Sequence, residues 1–499
     1  MDLIGNLATG FAVALTPLNL AFCLVGVIIG TLVGVLPGIA PITTIAILLP
    51  FTFSLPPASA LIMLSGIFYG AQYGGSTTAI LVNLPGESSS IVTCLDGHQM
   101  ARQGRAGPAL AIAAIASFFA GTIATVIIAT ASLPLAWLAV RFTAPEYFSL
   151  MVLGLTGSVA LAHGAPGKAV AMVLVGLLFG LVGIDVNTGL PRMTLGIGEL
   201  GDGIGFVPIA IGMFGIAELV VALGRPQDRS LLAGAVSNLW PRWAEICACL
   251  PAMTRGTLLG SVLGVLPGGG AALSSFAAYG LEKKISATPE RFGRGAIEGV
   301  AAPEAANNAG AQTSFIPLLT LGIPGNAIMA LMVGAMMIHG IQPGPEVMTA
   351  QRQLFWGVIA SMWLGNLMLI VLNLPLIGLW VSLLRVPYRI LFPAIVLFCC
   401  IGTYSLSNSA FDIVLMLLFA AAGVFFIKVG AEPAPFILGF ILGPLMEENF
   451  RRAMNLSRGD PMVFLERPIS AVLLACAGLL LVVLVLPAVR ARRDEVFQE

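Results

Sequence analysis

Apolar runs long enough to cross a lipid bilayer recur from one end of this chain to the other, and nothing constrains its fold more. Residues 109–133, 357–377 and 469–486 are examples. Each is near the roughly 20 residues that carry a helix through a hydrocarbon core of about 30 Å, and about ten to twelve such runs are expected, with Pro and Gly interrupting several. Composition agrees, because 58% of the 499 residues are hydrophobic and only 10% are charged, against about 25% charged in a soluble domain. The expected fold class is an all-α integral membrane protein with lipid as its surroundings. Lys plus Arg equals Asp plus Glu at 24 each, so neither nucleic acid nor an acidic surface partner is implied.

Several function classes drop out early. The start, Met1-Asp-Leu-Ile-Gly-Asn-Leu, lacks the positive n-region of a cleaved leader, so none is expected. Seven cysteines form no metal-ligand spacing, Cys247-Ala-Cys249 being the one close pair. Gly164-Ala-Pro-Gly-Lys168 is not a Walker A loop, and Gly196-Ile-Gly-Glu-Leu-Gly201 has no strand before it. Any energy for transport must come from an ion gradient or a partner.

The chain is written twice. Gly30-Thr-Leu-Val-Gly-Val-Leu-Pro-Gly38 returns as Gly260-Ser-Val-Leu-Gly-Val-Leu-Pro-Gly268, an offset of 230. Gly70-Ala71-Gln72 returns as Gly310-Ala311-Gln312, and a second Pro-Gly follows each, Pro85-Gly86 and Pro324-Gly325. Leu177-Leu178-Phe179 with Gly183 returns as Leu417-Leu418-Phe419 with Gly423. Two membrane repeats, 1–225 and 250–499, are therefore expected, joined by a charged cytoplasmic linker at 226–249.

Charge suggests their orientation. Residues 1–101 hold no Lys or Arg, whereas Arg225, Arg229, Arg242 and Arg255 precede the second Gly-rich segment and Lys283, Lys284, Arg291 and Arg294 follow it. Positive loops favour the cytoplasm. The segment 256–280 is expected to enter and turn back at Pro267-Gly268, with arms of about ten residues each, too short to span separately. Its counterpart at Pro37-Gly38 should open to the opposite face. That is an inverted repeat, a common plan of secondary transporters; a parallel duplication is the alternative.

Broken backbone at membrane depth survives where it is buried in protein or lines a cavity. Helix N-termini exposed there attract anions, and freed carbonyls suit Na⁺. The four breaks, Pro37-Gly38, Pro85-Gly86, Pro267-Gly268-Gly269-Gly270 and Pro324-Gly325, are bordered by hydroxyl and amide residues. Substrate-binding candidates are Gly38, Ser76, Thr77, Thr78 and Ser88 from one half, with Gly268, Gly269, Gly270, Ser274 and Asn326 from the other. Cation-binding candidates are Glu304, Asn307 and Asn308, which share a helix face at i, i+3 and i+4, and Gln312. The bland reading is that Gly and Pro only permit kinks and close packing, and that Glu304 marks a helix start. Asp185, Glu218 and Asp412 lie in or beside apolar runs and are further candidates, although Asp412 can cap a helix and Glu218 can reach Arg225.

At these motifs the sequence resembles the large membrane subunit of the bacterial tripartite tricarboxylate transporters, a TctA-like protein. The stretches that carry the resemblance are Gly34-Val-Leu-Pro-Gly38 through Leu49-Pro50, Tyr73-Gly-Gly-Ser-Thr-Thr-Ala-Ile-Leu-Val-Asn-Leu-Pro-Gly-Glu87, Asp96-Gly97 with Met100-Ala101, Ala302-Pro-Glu-Ala-Ala-Asn-Asn308, Leu321-Gly-Ile-Pro-Gly325 and His339-Gly-Ile-Gln-Pro-Gly-Pro345. It departs from the pattern at Ile39-Ala40, where a Gly-containing pair is usual, and at His98, where a tyrosine is usual. The resemblance implies a cation-coupled symporter in a bacterial inner membrane, with Na⁺ or H⁺ as coupling ion and no other cofactor. It also implies a carboxylate substrate such as citrate, handed over by a periplasmic solute-binding protein, and a small membrane subunit as partner. The rival classes are a membrane-embedded enzyme using Glu87, Asp96 and His98 on a lipid-linked substrate, and a passive anion channel.

Overall fold

The computed structural model describes residues 3–36, 40–139, 141–162, 165–185, 188–223, 239–266, 270–344, 346–383 and 388–485. Among these the chain is helical almost throughout. The strands described are Gly183–Ile184 and Pro191–Arg192, a two-residue antiparallel pair. The all-α membrane reading holds. Among the described residues five helices are long and apolar enough to cross a membrane: Pro17–Val35, Ala106–Ser132, Trp243–Val265, Arg352–Asn373 and Ala410–Lys428. Shorter apolar helices of 10–17 residues, such as Pro41–Thr52, Pro166–Gly180 and Ala327–Ile338, supply the remaining apolar length.

Two helices form the centre of the bundle. Pro57–Val82 is buried at every position from Ser59 onward, and Glu298–Thr313 at every position from Gly299 onward. Both carry the polar residues of the sequence motifs, so neither is apolar enough to stand among the five. Surrounded by protein rather than lipid, they need no apolar face.

The duplication reappears as packing. Pro17–Val35 lies along Pro57–Val82, and Trp243–Val265 lies along Glu298–Thr313. In the first pair Gly26, Gly30 and Gly34 seat against the carbonyls of Met63, Ile67 and Ala71. In the second Gly256, Gly260 and Gly264 seat against those of Ala302, Ala306 and Gly310. A Cβ at any of the six would fall closer than 3.0 Å to that oxygen, so the helices approach through small residues spaced four apart. The stripes repeat at offset 230 and their partners at 239 (310 against 71). Pro85-Gly86 and Pro324-Gly325 share the offset of 239. The alignment of Gly70-Ala71-Gln72 with Gly310-Ala311-Gln312 is therefore one residue out of register.

The third matched feature shows how the halves interlock. Pro166–Gly180 packs against Ala434–Leu456 of the other half, with Gly176 under the Phe436 carbonyl and Gly439 under that of Val173. Reciprocally, Ala410–Lys428 packs against 206–216, with Gly212 under the Met416 carbonyl. Each half thus lends an arm to the other, and one hydrophobic core runs through both.

The ten-residue arms expected around Pro267-Gly268 are not what forms. Trp243–Val265 has 23 residues and Gly270–Ile285 has 16. Pro251 does not stop the first helix, and Arg255, read from sequence as a cytoplasmic flank, lies inside it. Its guanidinium donates to Glu282 on the returning helix at 2.6 and 3.0 Å, which offsets the charge. Of the expected linker 226–249, residues 226–238 lie outside the described residues, and helix begins at Trp243.

Candidate functional site

The second break of each half is built the same way. Pro57–Val82 ends at Asn83, and Phe315–Leu321 ends at Gly322, both left-handed with φ of 58° and 73°. Such a residue closes a helix C-terminus, and the following Pro bars its continuation. Glu87 then heads the short helix Ser88–Ser90, exchanging cap bonds with Ser90. Asn326 heads Ala327–Ile338, its Oδ1 accepting from the Met329 N–H at 2.9 Å. Glu87 and Asn326 are equivalent at offset 239 (326 against 87). Gly86 has room only for hydrogen, because a Cβ would meet the Gly34 carbonyl and the Gly75 Cα. That contact presses the second break onto the end of the first.

Residues from all these breaks line one cavity of about 400 Å³. Ala40, Pro41 and Ile42 open the helix Pro41–Thr52, Glu87 to Ser89 open Ser88–Ser90, and Gly270 to Ala272 open Gly270–Ile285. Gly325 to Ile328 open Ala327–Ile338, and Glu432 to Pro435 open Ala434–Leu456. Five helices therefore begin at this one space. The N-termini of the four α-helices each carry unsatisfied N–H donors and about half a positive charge; the three-residue turn Ser88–Ser90, capped by Glu87, does not. Phe68, Gln72, Ser158, Phe214 and Glu218 are among the residues that complete the wall.

Of the expected substrate residues, Ser88, Gly270 and Asn326 line the cavity. Gly38, Gly268 and Gly269 lie outside the described residues, between stretches whose next residues, Ala40 and Gly270, line it. Ser76, Thr77, Thr78 and Ser274 are buried in protein and do not line it. Gly74-Gly75 does not break Pro57–Val82, so the hydroxyls stay on an intact helix. Ser76 Oγ donates to Glu304 at 2.6 Å, Thr78 to the Gly75 carbonyl at 2.9 Å, and Ser274 to the Gly270 carbonyl at 2.7 Å.

The expected cation residues are all fully buried. Glu304 accepts from Ser76 and from Thr93 Oγ1. Asn308 Nδ2 donates to Ser117 Oγ at 2.7 Å and to the Glu304 carbonyl at 3.1 Å, while its Oδ1 has no partner. Neither the Nδ2 nor the Oδ1 of Asn307 has a hydrogen-bond partner. Gln312 stands apart, eight residues on or about 12 Å along the axis. Its Oε1 accepts from Thr125 at 2.8 Å and its Nε2 has no partner. Among the described residues neither Glu87 nor Glu304 has a Lys or Arg in an ion pair.

Sequence reading passed over Gln72 and Ser89. Gln72 Nε2 donates to Glu87 Oε2 at 2.7 Å, and the single Ser89 hydroxyl proton is within reach of both Gln72 Oε1, at 3.0 Å, and Glu87 Oε1. The offset of 239, which matches Glu87 to the candidate Asn326, was a signal for Glu87. Thr93 and Ser117 sit in ordinary-looking helix, and nothing in the sequence marks them.

The remaining acids sort by contact. Glu218 accepts from Thr43 and lines the cavity; Arg225, the partner expected for it, lies outside the described residues. Asp185 binds Arg451 at 3.0 and 3.1 Å, with Arg192 and Glu447 in the same network. Asp412 accepts from Ser407 beside the Ser409 cap. Asp96 is fully buried, its Oδ1 taking the N–H groups of Gly293, Gly295 and Ala296 at 2.7–2.9 Å and its Oδ2 the Tyr279 hydroxyl. His98 Nδ1 meets the Ile80 carbonyl at 3.1 Å. Glu87, Asp96 and His98 are thus engaged in separate local contacts, not a shared catalytic centre.

Comparison with known proteins agrees with the membrane reading. The family model described as the tripartite tricarboxylate transporter TctA family matches residues 20–438. An uncharacterized 52.8 kDa protein in the TAR-I ttuC′ 3′ region of Agrobacterium vitis is 59% identical over 499 residues, 100% of this chain and 99% of that protein. An uncharacterized protein in the TAR-II ttuC′ 3′ region of the same organism is 60% identical over 240 residues, 48% of this chain and 99% of that protein. No solved structure matches. The TctA family is a transporter family rather than an enzyme family, and this chain, a multi-pass membrane protein, belongs to it.

Proposed function

We propose that this chain is the permease subunit of a binding-protein-dependent secondary transporter in a bacterial cytoplasmic membrane. It takes up di- or tricarboxylates such as citrate, coupled to Na⁺ or H⁺. The observation that carries the reading is the convergence of four α-helix N-termini, with the short turn at Ser88, on one cavity of about 400 Å³. A volume of about 300–1,000 Å³ is usual for a small-molecule site, and clustered N-termini favour an anion without a buried Lys or Arg. Ser88, Asn326 and the backbone at Gly270 offer donors, and Gly38, Gly268 and Gly269, outside the described residues, are assigned with them on the sequence alone.

The cation is assigned to the buried acid and amides on Glu298–Thr313, namely Glu304, Asn307 and Asn308, with Gln312 as a separate oxygen donor. A buried carboxylate without a basic partner is costly unless a cation or a proton neutralises it. Alternating access follows if the halves are an inverted repeat and one helix pair shifts against the other around the fixed cavity. The small membrane subunit and a periplasmic solute-binding protein complete the assembly.

Uptake of labelled citrate into proteoliposomes containing this chain and its small subunit tests the reading. Accumulation above equilibrium that needs both a Na⁺ or H⁺ gradient and the binding protein is expected. Uptake that equilibrates and never accumulates would mean a passive channel instead. Replacing Asn307 and Asn308 together by Ala should abolish ion dependence, and unchanged coupled uptake would remove them from the site.

A further inference from the structure

We propose that the groove between Pro166–Gly180 and Ala410–Lys428 is a lipid site, holding one acyl chain of a phospholipid under the loop at 183–204. The proposal does not depend on the substrate cavity or on what is transported.

The groove accounts for the one repeated motif that the cavity leaves unused. Pro166–Gly180 and Ala410–Lys428 are equivalent at offset 240 (418 against 178), and they lie antiparallel. Lys168 Nζ donates to the Val429 carbonyl at 2.6 Å at one end, and the rings of Phe179 and Phe419 meet at 5.7 Å toward the other. Leu178, Phe179 and Val182 line one wall, and their equivalents Leu418, Phe419 and Ala422 line the other. The groove thus lies on the seam between the halves. It encloses about 640 Å³, and every described residue lining it is apolar.

The halves differ here in one respect. From Gly180 to Phe206 the connection takes 25 residues (181–205), whereas from Lys428 to Ala434 it takes five (429–433). The second half folds without such a loop, so the loop of the first half has another use. Its residues Met193, Leu195, Ile197, Leu200 and Ile204 complete the groove. Met193 and Leu195 hold left-handed backbone, φ 52° and 53°, which bulky residues rarely adopt. Leu195 is nonetheless 88% exposed, so the loop borders the groove without filling it.

Position and lining identify the occupant. Ala410–Lys428 is the least buried of the five membrane-crossing helices, so the groove faces the bilayer, where only a lipid or a membrane helix can enter. The loop itself cannot lie in hydrocarbon, because its backbone lacks helical hydrogen bonds. Its base is held at the water boundary by Asp185 with Arg451 at 3.0 and 3.1 Å, and by Arg192 with Glu447 at 2.8 and 3.0 Å. The groove therefore begins just below headgroup level, where acyl chains start. Close helix contacts in this protein seat a glycine under a carbonyl, as at Gly176 with Phe436 and Gly212 with Met416. Among its described residues the groove offers no glycine, and Ala422 is its one small residue, so a helix finds no close seat. A flexible chain can follow bulky, uneven walls, and an empty groove would forfeit their dispersion contacts. The four charges at the loop base balance, so the chain is selected and the headgroup is not.

Native mass spectrometry of the purified full chain in detergent tests this, with dioleoyl-phosphatidylglycerol and dioleoyl-phosphatidylethanolamine as probes. The wild type should retain one phospholipid after detergent has removed the rest, whichever headgroup is supplied. Ala422→Phe, which puts a ring into the groove, should lose it. Val472→Phe, at an exposed position of Pro468–Val485, should keep it. After delipidation, either dioleoyl lipid should raise the melting temperature of the wild type but not of Ala422→Phe, and dihexanoyl-phosphatidylglycerol should raise neither. No retained lipid in the wild type, or the same behaviour in Ala422→Phe and Val472→Phe, overturns the site. A response to the dihexanoyl lipid overturns the acyl chain as ligand, and retention of one headgroup alone overturns selection by the chain. Should Ala422→Phe not fold, Leu195→Asp places a charge at the exposed rim, and undiminished retention there overturns the proposal. Cross-linking of Leu418→Cys to a co-purified small membrane subunit would make the groove a helix seat and overturn it equally.

Discussion

Replacing Gly30 or Gly260 by Ala should destabilise the bundle by similar amounts, because the two glycines hold equivalent places in two copies of one helix pair. At each, an added Cβ falls closer than 3.0 Å to a carbonyl oxygen, of Ile67 or Ala306, where ordinary contact begins at 3.4 Å. The oxygen belongs to a helix backbone and cannot turn aside, so the helices must part by about 1 Å, enough to forfeit a quarter to a half of the dispersion energy of the atoms left facing each other. Overpacking of this kind costs about 1–3 kcal/mol, while Ala in place of Gly within a helix returns about 0.5–1 kcal/mol. The net expectation is a loss of about 1–2 kcal/mol for each variant. Gly280, in Gly270–Ile285, has open space where its Cβ would go, so Gly280→Ala should instead gain up to about 1 kcal/mol. Thermal unfolding in detergent, followed by tryptophan fluorescence, ranks the three proteins. A Gly30 or Gly260 variant as stable as Gly280→Ala would refute the packing argument, and a large loss at one stripe but not the other would refute the equivalence.

Other contacts give sharper local tests. Asp96→Ala leaves the N–H groups of Gly293, Gly295 and Ala296 without their acceptor, and one orphaned donor alone costs about 1–3 kcal/mol. Hydrogen exchange at those three amides should quicken in Asp96→Ala and much less in Asp96→Asn, which keeps an acceptor. Glu146, 2% exposed, accepts from Arg467, which is 43% exposed. Arg467→Gln should therefore cost more than Glu146→Gln, about 1–2 kcal/mol after allowing for solvent at the arginine, as it strands the buried charge; melting temperatures in the reverse order would contradict this. Glu304→Gln should fold, because the Ser76 and Thr93 hydroxyls can turn to accept from an amide, yet lose cation-dependent uptake; full coupling in that variant would exclude Glu304 from the cation site.

How much of this was legible in the sequence depends on what kind of signal each feature leaves. Close helix approach demands glycine, so the stripes at 26, 30, 34 and 256, 260, 264 and the breaks at Pro-Gly were readable directly. Side-chain direction leaves no such mark. Ser76, Thr77 and Thr78 border a break in the sequence, but Gly74-Gly75 stays helical and turns them into the protein. Arg255 reads as a membrane flank until Glu282, 27 residues away, is seen to neutralise it. The cavity needs residues as far apart as Ala40 and Pro435, a convergence set by arms that cross between the halves. Local patterning cannot announce it.

Substrate protection of cysteines placed in the cavity tests the central claim most directly. Ser88→Cys and Ala327→Cys, from the two halves, would be made in a background lacking the seven native cysteines and shown to take up citrate. Their modification by a water-soluble thiol reagent would then be followed with and without citrate. Both residues line the cavity, so citrate should slow modification at both positions, in the same concentration range. Transport-competent protein in which citrate protects neither cysteine would place the substrate elsewhere and contradict the account.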